Sequence, residues 1–185
     1  MHLIVIRHGE TLMNIDGRLQ GSKGPNEPLT AHGVDQITRL RDALLVTPTS
    51  IFASPLLRTQ QSAAILNERF LVPIVTRPEL MERDFGSLSG ALKSTIDPQL
   101  MEDDLEGHYD YRPYGGESVE DVKRRVLAFL SGLPLATDET VLVLTHRGVI
   151  RVLYDLFPTQ VHPEEVLPAT VHSFLITALP PLEKN

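Results

Sequence analysis

Two nearly unbroken apolar stretches constrain the fold of this chain more than any other feature of its sequence. Residues 3–6 and residues 141–145 are both rich in valine, leucine and isoleucine, a pattern typical of strands that are buried on both faces. Such strands occur in parallel sheets that helices cover on either side. We therefore expect two central strands of a parallel sheet, each followed directly by polar residues.

Strand and helix signals alternate along the first half of the chain. Thr30 can cap a helix, because its hydroxyl oxygen can accept from a free backbone N–H and apolar residues recur behind it at helical spacing. Residues 51–53 predict a second strand. We expect Ser54 to cap the next helix, with Pro55 as its first residue and Phe70 near its end.

The alternation continues in the second half of the chain. The sequence predicts a short strand at residues 74–75, a helix that begins at Ser118, a helix directly behind the strand 141–145, and a last strand at residues 172–177. Residues 83–116 instead contain many Gly, Asp and Pro residues and show no clear periodicity. This order of elements predicts an α/β fold, with a mostly parallel central sheet and helices on both faces.

Length, charge and cysteine content narrow the class of protein. A chain of 185 residues fits one domain, residues 1–185. Its 17 basic and 24 acidic residues give a formal charge of −7, so we expect neither a nucleic-acid nor a membrane partner. The lack of cysteine excludes disulfides and thiolate chemistry. The N-terminal apolar run is too short for a signal peptide or a membrane span, which predicts a cytoplasmic protein.

Three polar segments follow the predicted strands, at the edge where parallel sheets bind their ligands. They are Arg7–His8, residues 54–58 and residues 146–148. Each segment supplies a cation or a potential cation, and the neighbouring helix N-termini attract anions. This edge of the sheet is therefore predicted to bind a phosphate group.

The side chains in these segments suit phosphoryl transfer. The guanidinium groups of Arg7 and Arg58 match phosphoryl oxygens and can neutralise charge in the transition state. A neutral His8 imidazole can attack phosphorus and form a transient N–P bond. A protonated His146 can donate charge-assisted hydrogen bonds to the same oxygens. These four residues are the candidate catalytic group.

The reaction also needs a proton for the leaving oxygen, and a carboxyl group is the expected donor. Glu82 is the candidate, with Glu10, Glu79 and Asp84 as alternatives that the residue types alone do not exclude. Arginine and histidine can supply the charge neutralisation that metal ions provide in many phosphotransferases. The remaining histidines match no metal-ligand spacing. We expect neither a metal nor a cofactor.

Residues 3–11, Leu-Ile-Val-Ile-Arg-His-Gly-Glu-Thr, resemble the opening signature of the histidine phosphatase superfamily, the phosphoglycerate-mutase-like proteins. The resemblance extends in order over residues 3–151. The matching segments are Asn14, Gly17–Gly21, Pro28–Thr30, Ser54–Arg58, Leu80–Glu82, Gly86, Gly116–Ser118 and His146–Gly148. The resemblance implies the three-layer α/β/α sandwich of that family, with a mostly parallel central sheet.

The resemblance also implies roles for the residues that match its motifs. It implies that His8 is the phosphorylated nucleophile and that Glu82 is the proton donor. The residues implied to bind phosphate or to shape the pocket around it are Arg7, Asn14, Gln20, Gly21, Arg58 and His146. Arg147 stands where the family often has a second glycine, and it can either reach a second acidic group on the substrate or point into solvent.

The leading prediction is hydrolysis of a small phosphorylated metabolite, a phosphomonoester, by water attack on the phosphohistidine. The alternatives are a phosphomutase of the phosphoglycerate type and a phosphate-binding module without turnover. Residues 83–116 are predicted to form a lid or a substrate-specificity insertion, in which Tyr109, Tyr111 and Tyr114 either pack on a substrate ring or hold the loop to the domain. The acidic run 102–106 is predicted to be a solvated loop or helix face and is assigned no chemistry. The substrate and the oligomeric state stay open.

Overall fold

The fold is described from a computed structural model that covers residues 1–135, 137–158 and 165–180. In these ranges the strands are β1 (His2–Arg7), β2 (Ser50–Ala53), β3 (Ile74–Thr76), β4 (Thr140–Thr145) and β5 (Val171–Leu175). The α-helices are α1 (Leu12–Ile15), α2 (Ala31–Ala43), α3 (Leu57–Phe70), α4 (Pro98–Glu106), α5 (Val119–Ser131) and α6 (Arg147–Leu156). None of these helices is long and apolar enough to span a bilayer.

The strands form one sheet in the order β3-β2-β4-β1-β5. Strands β1 to β4 run parallel, with Leu3 opposite Val141 and Arg7 opposite Thr145. Strand β5 runs antiparallel beside β1 at the edge. The predicted mostly parallel sheet is confirmed, although its last strand spans Val171–Leu175 and not residues 172–177.

The two faces of the sheet bury different sets of side chains, because successive residues of a strand point to opposite faces. One set packs against α2 and α3; its strand residues are Ile4, Ile6, Ile51, Ala53, Leu142 and Leu144. The other packs against α5 and α6; its strand residues are Leu3, Val5, Val141, Val143 and Phe174. The runs 3–6 and 141–145 are continuously apolar because they supply both faces. The three-layer α/β/α architecture is thus confirmed.

Side-chain caps define the starts of two of the predicted helices. Thr30 Oγ1 accepts from the Gly33 N–H at 2.9 Å and starts α2 as predicted. Ser118 starts α5 with a capping box. The prediction that Ser54 caps α3 is wrong: the helix begins at Leu57. Ser54 instead uses its hydroxyl in a contact to His146, described below, and Pro55 belongs to the connecting loop.

Residues 83–116 contain more regular structure than their composition predicts. Helix α4 begins at Pro98, where Asp97 accepts from the Gln99 N–H at 2.8 Å, and ends at Gly107 in the left-handed conformation (φ = 83°). Short 3₁₀ turns precede and follow this helix. A helix of nine residues is too short to give a strong periodic pattern, so its start and stop residues are the better signal.

The loop that follows β1 packs on the start of α2 through backbone atoms. An added Cβ at Gly33 would overlap the backbone carbonyl of Glu10, and a Cβ at Gly9 would lie 2.5 Å from the Gly33 carbonyl oxygen. Because backbone cannot move aside as the end of a side chain can, both positions need glycine. This contact fixes the loop that carries His8.

We expect Gly33→Ala to lower the free energy of unfolding by about 1–3 kcal/mol, the usual cost of forcing atoms into a packed region. Gly132→Ala is the matched control, since its added Cβ would lie no closer than 3.4 Å to its neighbours and should change stability by less than about 0.5 kcal/mol. Urea denaturation of both variants measures the difference. Equal stabilities would contradict the packing described here.

Candidate active site

A cavity of about 480 Å³ opens at the carboxyl ends of β1 and β4. Among the predicted site residues, those that line it are Arg7, His8, Asn14, Gln20, Glu82 and Arg147. Arg58 and His146 lie directly behind His8, with 1% and 0% of their surface exposed. The segments that follow three separate strands therefore meet at one place, as the strand order requires.

The imidazole of His8 is held in one tautomer. Its Nδ1 lies 2.7 Å from the carbonyl oxygen of Gly9, and because a carbonyl oxygen only accepts, Nδ1 must carry the proton. Burial, together with the positive charges of Arg58 and Arg7, lowers the pKa of His8 well below 6.5. The ring is neutral at pH 7, and its lone pair is on Nε2.

Two arginines lie next to this lone pair. Arg58 donates from Nε to His8 Nε2 at 3.2 Å and from Nη2 to the Gln20 carbonyl at 3.4 Å. Arg7 donates from Nη1 to the Val166 carbonyl at 2.5 Å. Burial lowers the pKa of each guanidinium to about 10, so both stay charged at pH 7. Within the described residues, Nη1 of Arg58 and Nε of Arg7 are buried without a partner, and these N–H groups can meet phosphoryl oxygens.

The ring of His146 packs 5.1 Å from that of His8, measured between centroids. The Leu56 N–H donates to Ser54 Oγ at 3.3 Å, so the serine hydroxyl hydrogen is available to donate to Nε2 of His146 at 2.9 Å. In that arrangement the neutral ring carries its proton on Nδ1. This Nδ1 is buried and has no partner among the described residues.

The charge state of His146 depends on whether a phosphate group lies beside its ring. Burial, together with the positive charges of Arg58 and Arg7, lowers the pKa of His146 well below 6.5. With the protein's own charges around it, the ring is therefore a neutral donor. A phosphate dianion placed beside it would raise the pKa again, because an opposite charge favours the protonated form.

The carboxylate of Glu82 is held at the start of α6, next to His146. Its Oε1 accepts from the Arg83 N–H at 2.9 Å and its Oε2 from the Gly148 N–H at 3.3 Å. An added Cβ at Gly148 would overlap this carboxylate. The glycine of the His146–Gly148 motif is therefore needed to let Glu82 approach the helix.

The other three candidate proton donors, Glu10, Glu79 and Asp84, differ in whether they line the cavity. Glu10 also lines the cavity, and its Oε1 accepts from Thr30 Oγ1 at 2.9 Å. Glu79 and Asp84 do not line it. Among these four carboxylates, only Glu82 both lines the cavity and accepts a hydrogen bond from the first turn of α6. In the described part of the chain, no three acidic or histidine side chains are grouped as a metal site would require.

The polar residues of the first loop differ in how directly they contact the cavity. Asn14 and Gln20 line it, and both bond to Thr11: Asn14 Oδ1 accepts from the Thr11 N–H at 3.2 Å, and Gln20 Oε1 accepts from the Thr11 hydroxyl at 2.8 Å. Gly21 does not line the cavity. A Cβ at Gly21 would lie 2.8 Å from the ring of Phe85, which lines the cavity, so Gly21 allows close packing against the cavity wall.

A buried ion pair behind Glu82 is not predicted from the sequence. Arg83 Nη2 lies 2.6 Å from Asp104 Oδ1, and the Tyr111 hydroxyl donates to Asp104 at 3.0 Å. Both charged residues are almost fully buried and reach the cavity wall. Treating the whole acidic run 102–106 as solvated is thus wrong for Asp104. The one feature of the sequence that indicates a role for Arg83 is its position directly after Glu82.

The tyrosines of residues 83–116 hold this segment to the domain. Tyr109 and Tyr111 are 3% and 0% exposed, and neither lines the cavity. The Arg83 guanidinium lies 4.5 Å from the ring centre of Tyr109, a cation–π contact. Tyr114 is 39% exposed and also lies outside the cavity wall. These positions favour the second of the two roles considered for them.

The fold described above is shared with a phosphoglycerate-mutase-like protein of known structure. The family model of the histidine phosphatase superfamily, branch 1, matches residues 3–179. The chain therefore belongs to the histidine phosphatase superfamily. The resemblance seen in its motifs is confirmed.

Relatives within this superfamily carry out different reactions. The chain is 36% identical over 163 residues to a 2,3-bisphosphoglycerate-dependent phosphoglycerate mutase of Rhizobium etli, covering 82% of this chain and 77% of the relative. It is 33% identical over 162 residues to the adenosylcobalamin/alpha-ribazole phosphatase of Escherichia coli, covering 83% and 77%. The crystal structure of a phosphoglycerate mutase from Thermus thermophilus superposes with a TM-score of 0.76 at 36% identity, covering 94% of this chain and 92% of that one.

The two buried histidines should make the fold sensitive to acid. Their pKa is depressed only in the folded state, so below about pH 6.5 the unfolded chain binds more protons and stability falls with falling pH. The expected loss is about 1 kcal/mol per ring between pH 6.5 and 5.5. Denaturant unfolding at both pH values should therefore show a clearly smaller loss in the double variant His8→Gln/His146→Gln, whatever its absolute stability. An unchanged pH dependence in that variant would contradict the neutral state of the rings.

Proposed function

We propose that this protein is a phosphatase that hydrolyses small phosphomonoesters through a covalent phosphohistidine on His8. The observation that carries the proposal is the state of the His8 ring: Nδ1 is committed to the Gly9 carbonyl, and Nε2 holds a lone pair beside the cavity, 3.2 Å from the Nε of Arg58. A neutral imidazole with a fixed tautomer next to cationic donors is suited to attack an electron-poor phosphorus.

In the first step, the Nε–H of Arg58 leaves Nε2 of His8 for a phosphoryl oxygen, and the freed lone pair of Nε2 attacks phosphorus. An N–P bond forms and the bond from phosphorus to the ester oxygen breaks. Glu82 enters this step as the protonated carboxyl group and gives its proton to the departing oxygen, which leaves as an alcohol. In the second step, Glu82 accepts a proton from water while the water oxygen attacks phosphorus. The N–P bond then breaks, and inorganic phosphate is released. Each group returns to its starting state.

Charge on the transferred phosphoryl group is balanced by three donors in this proposal. Arg58 and Arg7 have buried N–H groups without partners in the described residues, and the same is true of Nδ1 of His146. Donors that are already in place in a buried site stabilise developing charge without reorganising. The cost of burying them unpaired is repaid only when oxygens of a ligand accept these bonds.

A phosphoglycerate-type mutase is the second candidate, and the 36% identity to the Rhizobium etli enzyme supports it. A mutase must protect its phosphohistidine from water until the phosphoryl group is returned. The rim of this cavity is well exposed: Ile15, Leu105 and Leu167 retain 60%, 55% and 55% of their surface. This open rim leaves water a route into the cavity that His8 lines, which is the reason why we favour hydrolysis.

The division of work between His8 and Glu82 is open to a direct test. We expect His8→Ala to abolish turnover, because the atom that accepts phosphorus is gone. Glu82→Gln should slow hydrolysis of alkyl phosphates by roughly 10²- to 10⁴-fold, and much less for nitrophenyl phosphate, whose leaving group hardly needs a proton. Steady-state rates for both substrate types with each variant measure this.

Glu79→Gln is the matched control for the carboxylate, since Glu79 is three residues away in sequence and does not line the cavity. It should show no loss that depends on the leaving group. A Glu82→Gln loss of equal size for both substrate types, or acid-labile phosphate label on His8→Ala, would reject the assigned roles.

Hydrolysis and phosphoryl return give different products from one substrate. With 3-phosphoglycerate we expect inorganic phosphate to form at least ten times faster than 2-phosphoglycerate, because water reaches the intermediate. In ¹⁸O-labelled water, the released phosphate should contain one labelled oxygen. Phosphorus NMR follows both products in one sample. Formation of 2-phosphoglycerate as the main product would identify the mutase alternative.

A further inference from the structure

The segment Gly116–Ser118 matches the superfamily motifs, yet none of its residues lines the cavity. Its central residue, Glu117, pairs with Arg125 of α5. Arg125 Nε donates to Glu117 Oε1 at 3.0 Å, and Arg125 Nη2 donates to Glu117 Oε2 at 3.2 Å. The glutamate and arginine side chains are half-buried, with 25% and 18% of their surface exposed. A two-point ion pair that solvent reaches only in part is held more firmly than a single contact at the surface.

Arg125 also bonds to the main chain just before Glu82. Its Nη1 donates to the carbonyl of Glu79 at 2.6 Å and to that of Met81 at 2.7 Å. All three guanidinium nitrogens of Arg125 are therefore engaged. Two of them bond to the carboxylate of Glu117, and the third bonds to the main chain that leads into Glu82.

Glu117 bonds to the main chain on the other side of Glu82. Its Oε2 accepts from the Asp84 N–H at 2.8 Å, and its own N–H donates to the Asp84 carbonyl at 2.9 Å. A single residue, Arg83, separates Asp84 from Glu82. The ion pair thus bonds to the main chain both before and after the proposed proton donor.

The Glu82 carboxylate depends on this main chain for its position. One of its hydrogen bonds comes from the N–H of Arg83, in the same segment, at 2.9 Å, and the other is a longer bond from the Gly148 N–H at 3.3 Å. A general acid must lie within hydrogen-bond reach of the oxygen that it protonates. A displacement of about 1 Å can slow a reaction by about 10²-fold. A movement of the segment that carries Glu82 would therefore weaken proton transfer.

We propose that Glu117 and Arg125 form a positioning pair that holds the carboxyl group of Glu82 where it can protonate the leaving oxygen. The inference rests on the proposed function in one respect, the role of Glu82 as proton donor. The positioning pair acts through the main chain and is not itself catalytic. The competing explanation is that the pair only stabilises the fold by joining α5 to residues 79–84. These two explanations predict different kinetics.

Arg125→Gln separates the two explanations, because a glutamine side chain cannot bond to Glu117 and to both carbonyls at once. We expect kcat/KM for glycerol 3-phosphate, an alkyl ester, to fall about 10- to 100-fold. For nitrophenyl phosphate, kcat/KM should fall less than about threefold, since its leaving group hardly needs a proton. A smaller fraction of folded enzyme would instead lower both values by the same factor.

Arg124→Gln is the matched control for the loss of a cation from α5. Arg124 is the preceding residue of the same helix, is 72% exposed and pairs with Asp121 at 3.0 Å. Because exposed pairs contribute little, this variant should change kcat/KM for either ester by less than about twofold. Competitive inhibition by inorganic phosphate should be unchanged in the Arg124 and Arg125 variants, since the residues proposed to bind phosphate are intact in both.

A double variant tests whether Arg125 acts through Glu82. If it does, adding Arg125→Gln to Glu82→Gln should lower kcat/KM for glycerol 3-phosphate by less than about a further threefold, because the proton donor is already absent. Independent effects would multiply. Arg125→Lys carries the same comparison if Arg125→Gln does not fold. It should show a selective loss of about 3- to 10-fold, because an ammonium keeps the charge but not the two-point geometry.

Equal losses for the two esters in the Arg125 variants would overturn the positioning role and leave the pair as support for the fold. Losses that multiply in the double variant would overturn the action through Glu82. A Glu82→Gln loss that does not depend on the leaving group would reject the proposed proton donor, and the positioning pair with it. A selective loss in Glu82→Gln alone would reject only the positioning pair.

Discussion

The parallel pairing of β1 with β4 is the constraint on which the site depends. Arg7 lies opposite Thr145, and the His8 N–H donates to the Thr145 carbonyl at 3.1 Å. His8 and His146 are the next residues after β1 and β4, and this register places their ring centres 5.1 Å apart. The distance between the two rings is therefore set by main-chain hydrogen bonds and not by flexible side chains. A shift of register in either strand would separate them.

Folding concentrates like charges at this place. The guanidinium groups of Arg7 and Arg58 and the imidazoles of His8 and His146 are buried together. The two histidines are neutral, since desolvation disfavours their charged form. The unpaired donors that remain cost stability. The apolar packing on both faces of the sheet must offset this cost, which fits the view that functional sites are less stable than the scaffold that holds them.

Much of the fold follows from local sequence rules. The strands 3–6 and 141–145 are evident because residues buried on both faces must all be apolar, and the helix after Thr30 is evident from its cap and spacing. The start of α3 is not evident from the sequence. The Ser54 hydroxyl can serve either as a helix cap or as a partner of His146, and the local sequence is the same in both cases. Helix α4 is too short to give a periodic signal.

The candidate site divides in the same way. The grouping of Arg7, His8, Arg58 and His146 follows from the positions of strand ends in a parallel sheet. The neutral state of His146 and the burial of Asp104 do not follow from these positions. Both depend on which groups surround the side chain after folding. Those surroundings come from residues that are distant in sequence, and no spacing rule describes them.

Positions 147 and 148 on α6 differ in how many residue types the structure can accept. At position 148 an added methyl group would overlap the carboxylate of Glu82, the proposed proton donor, so nearly any substitution there would displace this group. At position 147 the side chain lines the cavity, and no described residue is bonded to it. A lineage can therefore change residue 147 and alter which molecules are accepted, while residue 148 keeps the chemistry as it was. New specificity can in this way arise one peptide bond away from a position that tolerates almost no change.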